Sequence, residues 1–270
     1  MGTGIALVGA SVAGLPVKVL DSSQAQCDRS KAFIDSWIKK EVEKGRLTHP
    51  DEVKQRITYT TSYAEVAQAD FVIEAIVENP EVKAKLCSVL TPLLKPEAIF
   101  ASNTSSISIT KVASFCAKPE NVIGMHFMNP VPVMKLVEVI RGLQTSDATL
   151  EKTLALAAKM KKVTTQSSDR PGFIANRVLM PYINEAVQVL NEGIATKEDI
   201  DQTMKLGTNV PMGPLTLADF IGLDTCLSIM NVLHREFGDS KYRPSPLLVN
   251  YVNAGWLGKK TGRGFYEYKK

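Results

Sequence analysis

The chain has 270 residues, 44% of them hydrophobic and 22% charged, with a formal net charge of +4. Such values belong to a folded globular chain with room for one large domain or two ordinary ones, and they exclude a low-complexity or disordered polymer. No basic run is long enough for a nucleic-acid surface, and no apolar run reaches the ~18 residues of a membrane span.

The chain opens "MGTGIALVGASVAGLPVKVLD", a glycine-bearing turn that enters a helix and is followed by a short buried strand ending in an acid. Further strand candidates are "RITYTT" (56–61), "DFVIEAI" (70–76), "AIFASN" (98–103), "NVIGMHF" (121–127) and "LVEVI" (136–140), after "VKVL" at 17–20. Helical patterns at 24–44, 80–94 and 146–160 lie among them. Short, almost unbroken apolar strands alternating with helices predict a parallel sheet covered on both faces. The polar break "SSDRPGF" (167–173) marks a domain boundary, giving 1–168 and 169–270. Beyond it the pattern is helical at 173–193, 196–207 and 214–237, with Thr196 as a capping residue. The predicted fold class is α/β, a Rossmann-type doubly wound sheet, followed by an all-α domain.

Cys27, Cys87, Cys116 and Cys226 are scattered without a C-x-x-C pair, as expected of reduced thiols in a reducing compartment rather than of metal ligands. No secretory signal is visible. The expected setting is cytoplasmic, with the mitochondrial matrix or peroxisome open should a leader precede Met1.

Two constellations carry chemistry. A dinucleotide fingerprint is G-x-G-x-x-G after a strand, with an acid about 20 residues on. Gly2 suits its last glycine, and Asp21 falls 19 residues later at a strand end, where it would accept from ribose hydroxyls and repel a 2′-phosphate. That favours NAD over NADP; a plain helix start and a turn aspartate are the alternative. In "NVIGMHFMNPVPVMKLVEVI", His126 ends one strand and Glu138 sits inside the next apolar one, after "NPVP" turns the chain back. A carboxylate among Leu136, Val137, Val139 and Ile140 is costly to bury without a partner. The neighbouring imidazole would provide it, leaving the other ring nitrogen to take a hydroxyl proton. The alternative is a capped histidine and a glutamate pointing outward. His49 and His234 read as surface or packing residues.

"SNTSS" (102–106), "GMHFMNPVPVMKLVEVI" (124–140), "RPGFIANRVLMPYINEAV" (170–187), "MGPLTLADFIGLD" (212–224) and "GWLGKKTGRGFYEY" (255–268) resemble the 3-hydroxyacyl-CoA dehydrogenase family, in particular its 3-hydroxybutyryl-CoA branch. The resemblance covers essentially the whole chain. It implies NAD-dependent oxidation of a short (S)-3-hydroxyacyl-CoA to the 3-ketoacyl-CoA, and the reverse, in fatty-acid or butyrate metabolism. It implies His126 as base, Glu138 as its orienter, Ser105 bonded to the substrate's 3-oxygen beside the nicotinamide, and Asn176 at the reacting region. On the cofactor side it implies Gly2, Asp21, Glu78, Lys83, Ser105, Asn129 and Lys260. For Glu78 a helix N-terminal acid, for Ser105 a helix cap near residue 108, for Asn176 a bond to the first helical turn, and for Lys83 and Lys260 plain solvation stay open. It also implies a homodimer through the helical domain and CoA held by unassigned lysines of residues 31–44; composition and cysteine spacing give no expectation of a metal, nucleic-acid or membrane partner.

Relative to that family, the first strand and the first two glycines of the phosphate turn do not appear before Met1. In the doubly wound order that strand is central, so its two neighbours are expected to be unpaired and the nucleotide domain weakened. Two other readings therefore stand beside the dehydrogenase: a truncated, non-catalytic relative acting as a dimerisation module, and a dehydrogenase of the same family for a different hydroxy acid.

Overall fold

The computed structural model describes residues 1–268. The chain divides into two compact units, the first being Met1–Arg170. Its elements run α1 (Gly2–Ser11), β1 (Val17–Leu20), α2 (Gln24–Glu43), α3 (Pro50–Gln55), β2 (Ile57–Thr60), β3 (Phe71–Glu74), α4 (Pro80–Leu90), β4 (Ile99–Ser102), α5 (Ile109–Ala113), β5 (Val122–Phe127), β6 (Leu136–Arg141), α6 (Asp147–Lys159) and β7 (Val163–Ser168). The second unit begins at Pro171 and holds α7 (Ala175–Asn191), α8 (Lys197–Gly207), α9 (Pro214–Ile221), α10 (Leu223–Phe237) and α11 (Pro246–Asn253).

The first unit carries two sheets. β1 and β2 form a parallel pair, and the order of the other sheet is β3-β4-β5-β6-β7. Among the described residues no strand joins β1 to β3. Both strands are mostly half-buried, whereas β4 and β5 are buried at every position. α1 serves both sheets. Ile5 and Val8 join the core of β4, β5 and β6. Leu7 and Ala10 join Ile34 and Ile38 of α2, Val53 of α3 and Ile57 of β2. A helix working on two faces is buried almost all round, and Ile5–Ala10 are all buried.

The sheet differs from the sequence expectation in two places. It is mixed rather than wholly parallel, because β5 and β6 pair antiparallel. Only residues 128–135 connect them, and a parallel crossover needs a dozen or more. The Lys162 ammonium holds this turn by donating to the carbonyls of Val131 (2.5 Å) and Met134 (2.8 Å). The second difference is β7, an added strand parallel to β6. Its sequence, V-T-T-Q-S-S, has no apolar alternation because it lies at the sheet edge with no position fully buried.

In the helical unit, the single helix expected over 214–237 is two, α9 and α10, bent by 97°. Gly222 makes the corner at φ 104°, where a Cβ would stand 2.9 Å from Lys260 Nζ and 3.0 Å from Asp224 Oδ1. Such a backbone conformation is open to glycine and strained for other residues. Thr196 caps α8 as expected, its hydroxyl accepting from Asp199 N–H at 3.1 Å. Met180, Ile183 and Val187 of α7 bury against Leu215, Leu223, Met230, Leu233 and Leu248. Among the described residues no single helix is long and apolar enough to cross a membrane.

Candidate active site

Glu138 lies directly across from His126 in the antiparallel register of β5 and β6. Opposed residues of such a pair share one face, with Cβ atoms close enough for their side chains to meet. Glu138 Oε2 stands 2.7 Å from His126 Nδ1. Glu138 is 1% exposed and His126 7%, so each supplies the polar partner the other's burial requires. With a carboxylate at Nδ1, the ring carries its proton there and presents the Nε2 lone pair outward. Ser105 Oγ lies 3.2 Å from that nitrogen. Carboxylate, imidazole and hydroxyl thus form one line.

Each residue of "SNTSS" builds the loop that holds Ser105. Ser102, the last residue of β4, donates its hydroxyl to Glu74 Oε2 at 2.6 Å. Asn103 Oδ1 accepts Phe127 N–H at 2.8 Å, tying the loop to the strand residue after His126. The Thr104 hydroxyl donates to Glu78 Oε1 at 2.6 Å, and the same oxygen accepts the N–H groups of Ser105 and Ser106, both at 2.9 Å. The cap of α5 is Ser108, which accepts Lys111 N–H at 3.1 Å; Ser105 is left to face the imidazole.

Glu78 and Lys83 are parts of one charged cluster. Lys83 is not a solvated charge: its side chain is 1% exposed, with Nζ 2.7 Å from Glu74 Oε1 and 3.5 Å from Glu78 Oε2. Glu78 is not the cap of α4, a role taken by Asn79, whose side chain accepts from Glu81 and Val82 N–H. Burial alone would raise the Glu78 carboxyl above its ordinary value. Four influences outweigh it and hold it below: the Thr104 hydroxyl, the Lys83 charge, the Ser105 N–H and the Ser106 hydroxyl. Sequence reasoning missed Glu74. The available signal was the one that exposed Glu138, a carboxylate within an apolar strand.

The other sequence candidates lie as follows. Asp21 sits just beyond β1, its Oδ1 accepting Ser23 N–H at 3.2 Å. Gly2 opens α1, where a Cβ would be 3.6 Å from that of Ala75, an ordinary contact. The tighter approach is at Gly4, where it would stand 3.0 Å from Val131 Cβ. Asn129 is exposed, in the turn after β5. Asn176 is 8% exposed in the first turn of α7. Lys260 pairs with Asp224 in the helical unit, Nζ to Oδ2 2.7 Å. Among the described residues no group of three or more His, Cys, Asp or Glu side chains is placed to hold a metal ion.

A Rossmann-like sheet, a helical second unit and an oriented imidazole facing a hydroxyl agree with the dinucleotide-dependent oxidoreductase class that the sequence resemblance implies. The match to known proteins is extensive. The sequence profile of the 3-hydroxyacyl-CoA dehydrogenase NAD binding domain matches residues 1–170, and that of the family's C-terminal domain residues 172–268. The chain is 55% identical to a probable 3-hydroxybutyryl-CoA dehydrogenase of Deinococcus radiodurans, over 99% of this chain and 96% of that protein. It is 53% identical to a probable 3-hydroxybutyryl-CoA dehydrogenase of Bacillus subtilis, over 100% and 94%. The crystal structure of (S)-3-hydroxybutyryl-CoA dehydrogenase from Ralstonia eutropha superposes with a TM-score of 0.96 at 48% identity, covering 100% of this chain and 96% of that one. The chain belongs to the 3-hydroxyacyl-CoA dehydrogenase family.

Proposed function

We propose that this chain oxidises a short (S)-3-hydroxyacyl-CoA, with 3-hydroxybutyryl-CoA as the type substrate, to the 3-ketoacyl-CoA, and catalyses the reverse. The observation that carries the proposal is the Glu138–His126–Ser105 line, 2.7 Å and 3.2 Å long, within a chain that matches both halves of the family. In the oxidative direction His126 Nε2 receives the proton of the 3-hydroxyl, and Glu138 stabilises the imidazolium that forms. The Ser105 hydroxyl, held at that nitrogen, orients the same oxygen. Asn176 is assigned to the substrate's reacting region by the family motif alone.

The residues suit NAD in chemistry: Asp21 brings an acceptor-only carboxylate to the end of β1, and Gly4 lets the start of α1 close on the turn between β5 and β6. NAD, when bound, supplies the hydride acceptor. Gly2, Glu78, Lys83, Asn129 and Lys260 belong to this cofactor assignment by the family pattern; for Glu78 and Lys83, the structure supports a second task in holding the Ser105 loop. A homodimer through the helical unit is part of the same proposal. Val178, Ile194, Leu206 and Phe220, each more than half exposed, support it. Four free, buried cysteines agree with a reducing cytoplasm.

The test is NADH oxidation by the purified chain with acetoacetyl-CoA. Turnover is expected, falling by about 10²- to 10⁴-fold in His126→Gln. A folded wild-type chain without turnover, or an undiminished His126→Gln variant, would overturn the assignment.

A further inference from the structure

We propose that Glu74 is a positioning residue for Ser105, acting through Lys83 and Glu78; this rests on the function assigned above. Glu74 closes β3, is 4% exposed and has both oxygens engaged. Oε1 accepts from Lys83 Nζ and from Ile76 N–H, each at 2.7 Å, and Oε2 accepts from Ser102 Oγ at 2.6 Å. Lys83 in turn stands 3.5 Å from Glu78 Oε2. Glu78 Oε1 then gathers Thr104 Oγ1, Ser105 N–H and Ser106 N–H between 2.6 and 2.9 Å.

The sequence of charges is negative, positive, negative, running from the sheet to the catalytic loop. Only its first two members stand on regular elements, Glu74 on β3 and Lys83 on α4. Glu78 lies between elements, and its side chain is 35% exposed. By itself it is a poor anchor. A hydroxyl on a loop serves a reaction only if its backbone is held to about 0.5 Å. Here the hold is passed from the strand end through a buried ammonium. Ser102 gives a second, shorter link from the same carboxylate to the base of the same loop.

Without the Glu74 charge, Lys83 keeps one carboxylate nearby, that of Glu78. A buried ammonium left so moves toward its remaining partner, 3.5 Å away. That movement draws Glu78 away from the Ser105 and Ser106 N–H groups. The role differs from a general contribution to stability, because it predicts that Glu74 matters to turnover only while Ser105 carries a hydroxyl.

The experiment compares Glu74→Gln, Ser105→Ala and the double variant in acetoacetyl-CoA reduction, with amide hydrogen exchange at Ser105 and Ser106 read by NMR. Glu74→Gln is expected to lower kcat by about 10- to 100-fold, the scale of a roughly 1 Å misplacement, with a much smaller change in KM. In the Ser105→Ala background it is expected to add less than about twofold, because residues acting as one unit are not additive. Protection at the two amides is expected to fall while that of β5 and β6 holds. Additive losses in kcat, or unchanged protection at the two amides, would overturn the proposal. If Glu74→Gln fails to fold, Glu74→Gln with Lys83→Met removes both buried charges; it is expected to fold with the same kcat loss and the same amide exposure, and wild-type kcat in that variant overturns the proposal. Should the wild-type chain lack turnover, the assigned function fails, and the exchange measurement still decides whether Glu74 holds the loop.

Discussion

The pairing of Glu138 with His126 separates catalysis from stability by opposite signs. Glu138→Gln keeps the size and one acceptor oxygen of the side chain and removes its charge. In the folded protein that charge is 1% exposed, and desolvating an ion there costs several kcal/mol before its partner returns any of it. A neutral amide pays far less, so the thermal midpoint is expected to hold or rise. On the proposed mechanism the balance reverses during turnover, because the imidazolium formed 2.7 Å from residue 138 would be left without a counter-charge. A hydrogen bond between charged groups is worth about 1.5–3 kcal/mol against about 1 for a neutral one, and two unit charges near 4 Å interact by about 4 kcal/mol at an effective dielectric constant of 20. A net loss of about 2–3 kcal/mol is about 30- to 150-fold in kcat. The assay is steady-state NADH oxidation with acetoacetyl-CoA, paired with thermal unfolding of the same samples. A Glu138→Gln chain with wild-type kcat and a lowered midpoint would refute the reasoning, since the glutamate would then be a packing partner.

Three further outcomes are expected. Asp21→Asn should weaken NADH binding by about 10- to 100-fold, the worth of one or two charge-assisted bonds, and narrow the preference over NADPH; fluorescence titration with both cofactors measures this, and an unchanged ratio rejects the ribose role. Gly222→Ala forces φ 104° on a residue with a Cβ and should destabilise the helical unit by about 1–3 kcal/mol, seen as a lower urea midpoint with an unchanged slope. Glu78 has a folded-state pKa below its ordinary 4.5, so the stability it contributes is complete above that value and is lost as pH falls below it. The unfolding free energy should therefore drop along an acid limb under pH 4.5 that Glu78→Gln flattens; no difference between the two chains in that range would reject the link, and a change near neutrality would belong to another group.

How much of this was legible in the sequence depends on whether a residue's partner is local. Glu138 announced itself because a carboxylate inside "KLVEVI" breaks an apolar run, and such a run tolerates it only with a buried partner. β4 and β5 were readable because they are apolar runs buried at every position. β7 was not, because an edge strand buries no face completely, and its pairing is carried by backbone groups that every residue shares. The corner at Gly222 was masked because helical periodicity continues on both sides of it, and only the φ of one glycine marks the turn.

The charged cluster under Ser105 was half legible, and the half that was missed has a physical explanation. Glu78 and Lys83 drew notice through a family motif, which names residues without saying what they touch. Glu74 offers the same signal as Glu138, an acid inside "DFVIEAI", yet its partner is nine residues along the chain and on a helix, so no strand alternation could reveal it. On the proposed function the two glutamates of the sheet have parallel tasks. Glu138 would fix the imidazole from the strand opposite, and Glu74 would fix the loop that brings a hydroxyl to the imidazole's other nitrogen. A reacting oxygen placed between Ser105 and His126 would then be located by two buried carboxylates, both on strands of one sheet. Neither touches that oxygen, and removing either charge should displace it while the fold stands.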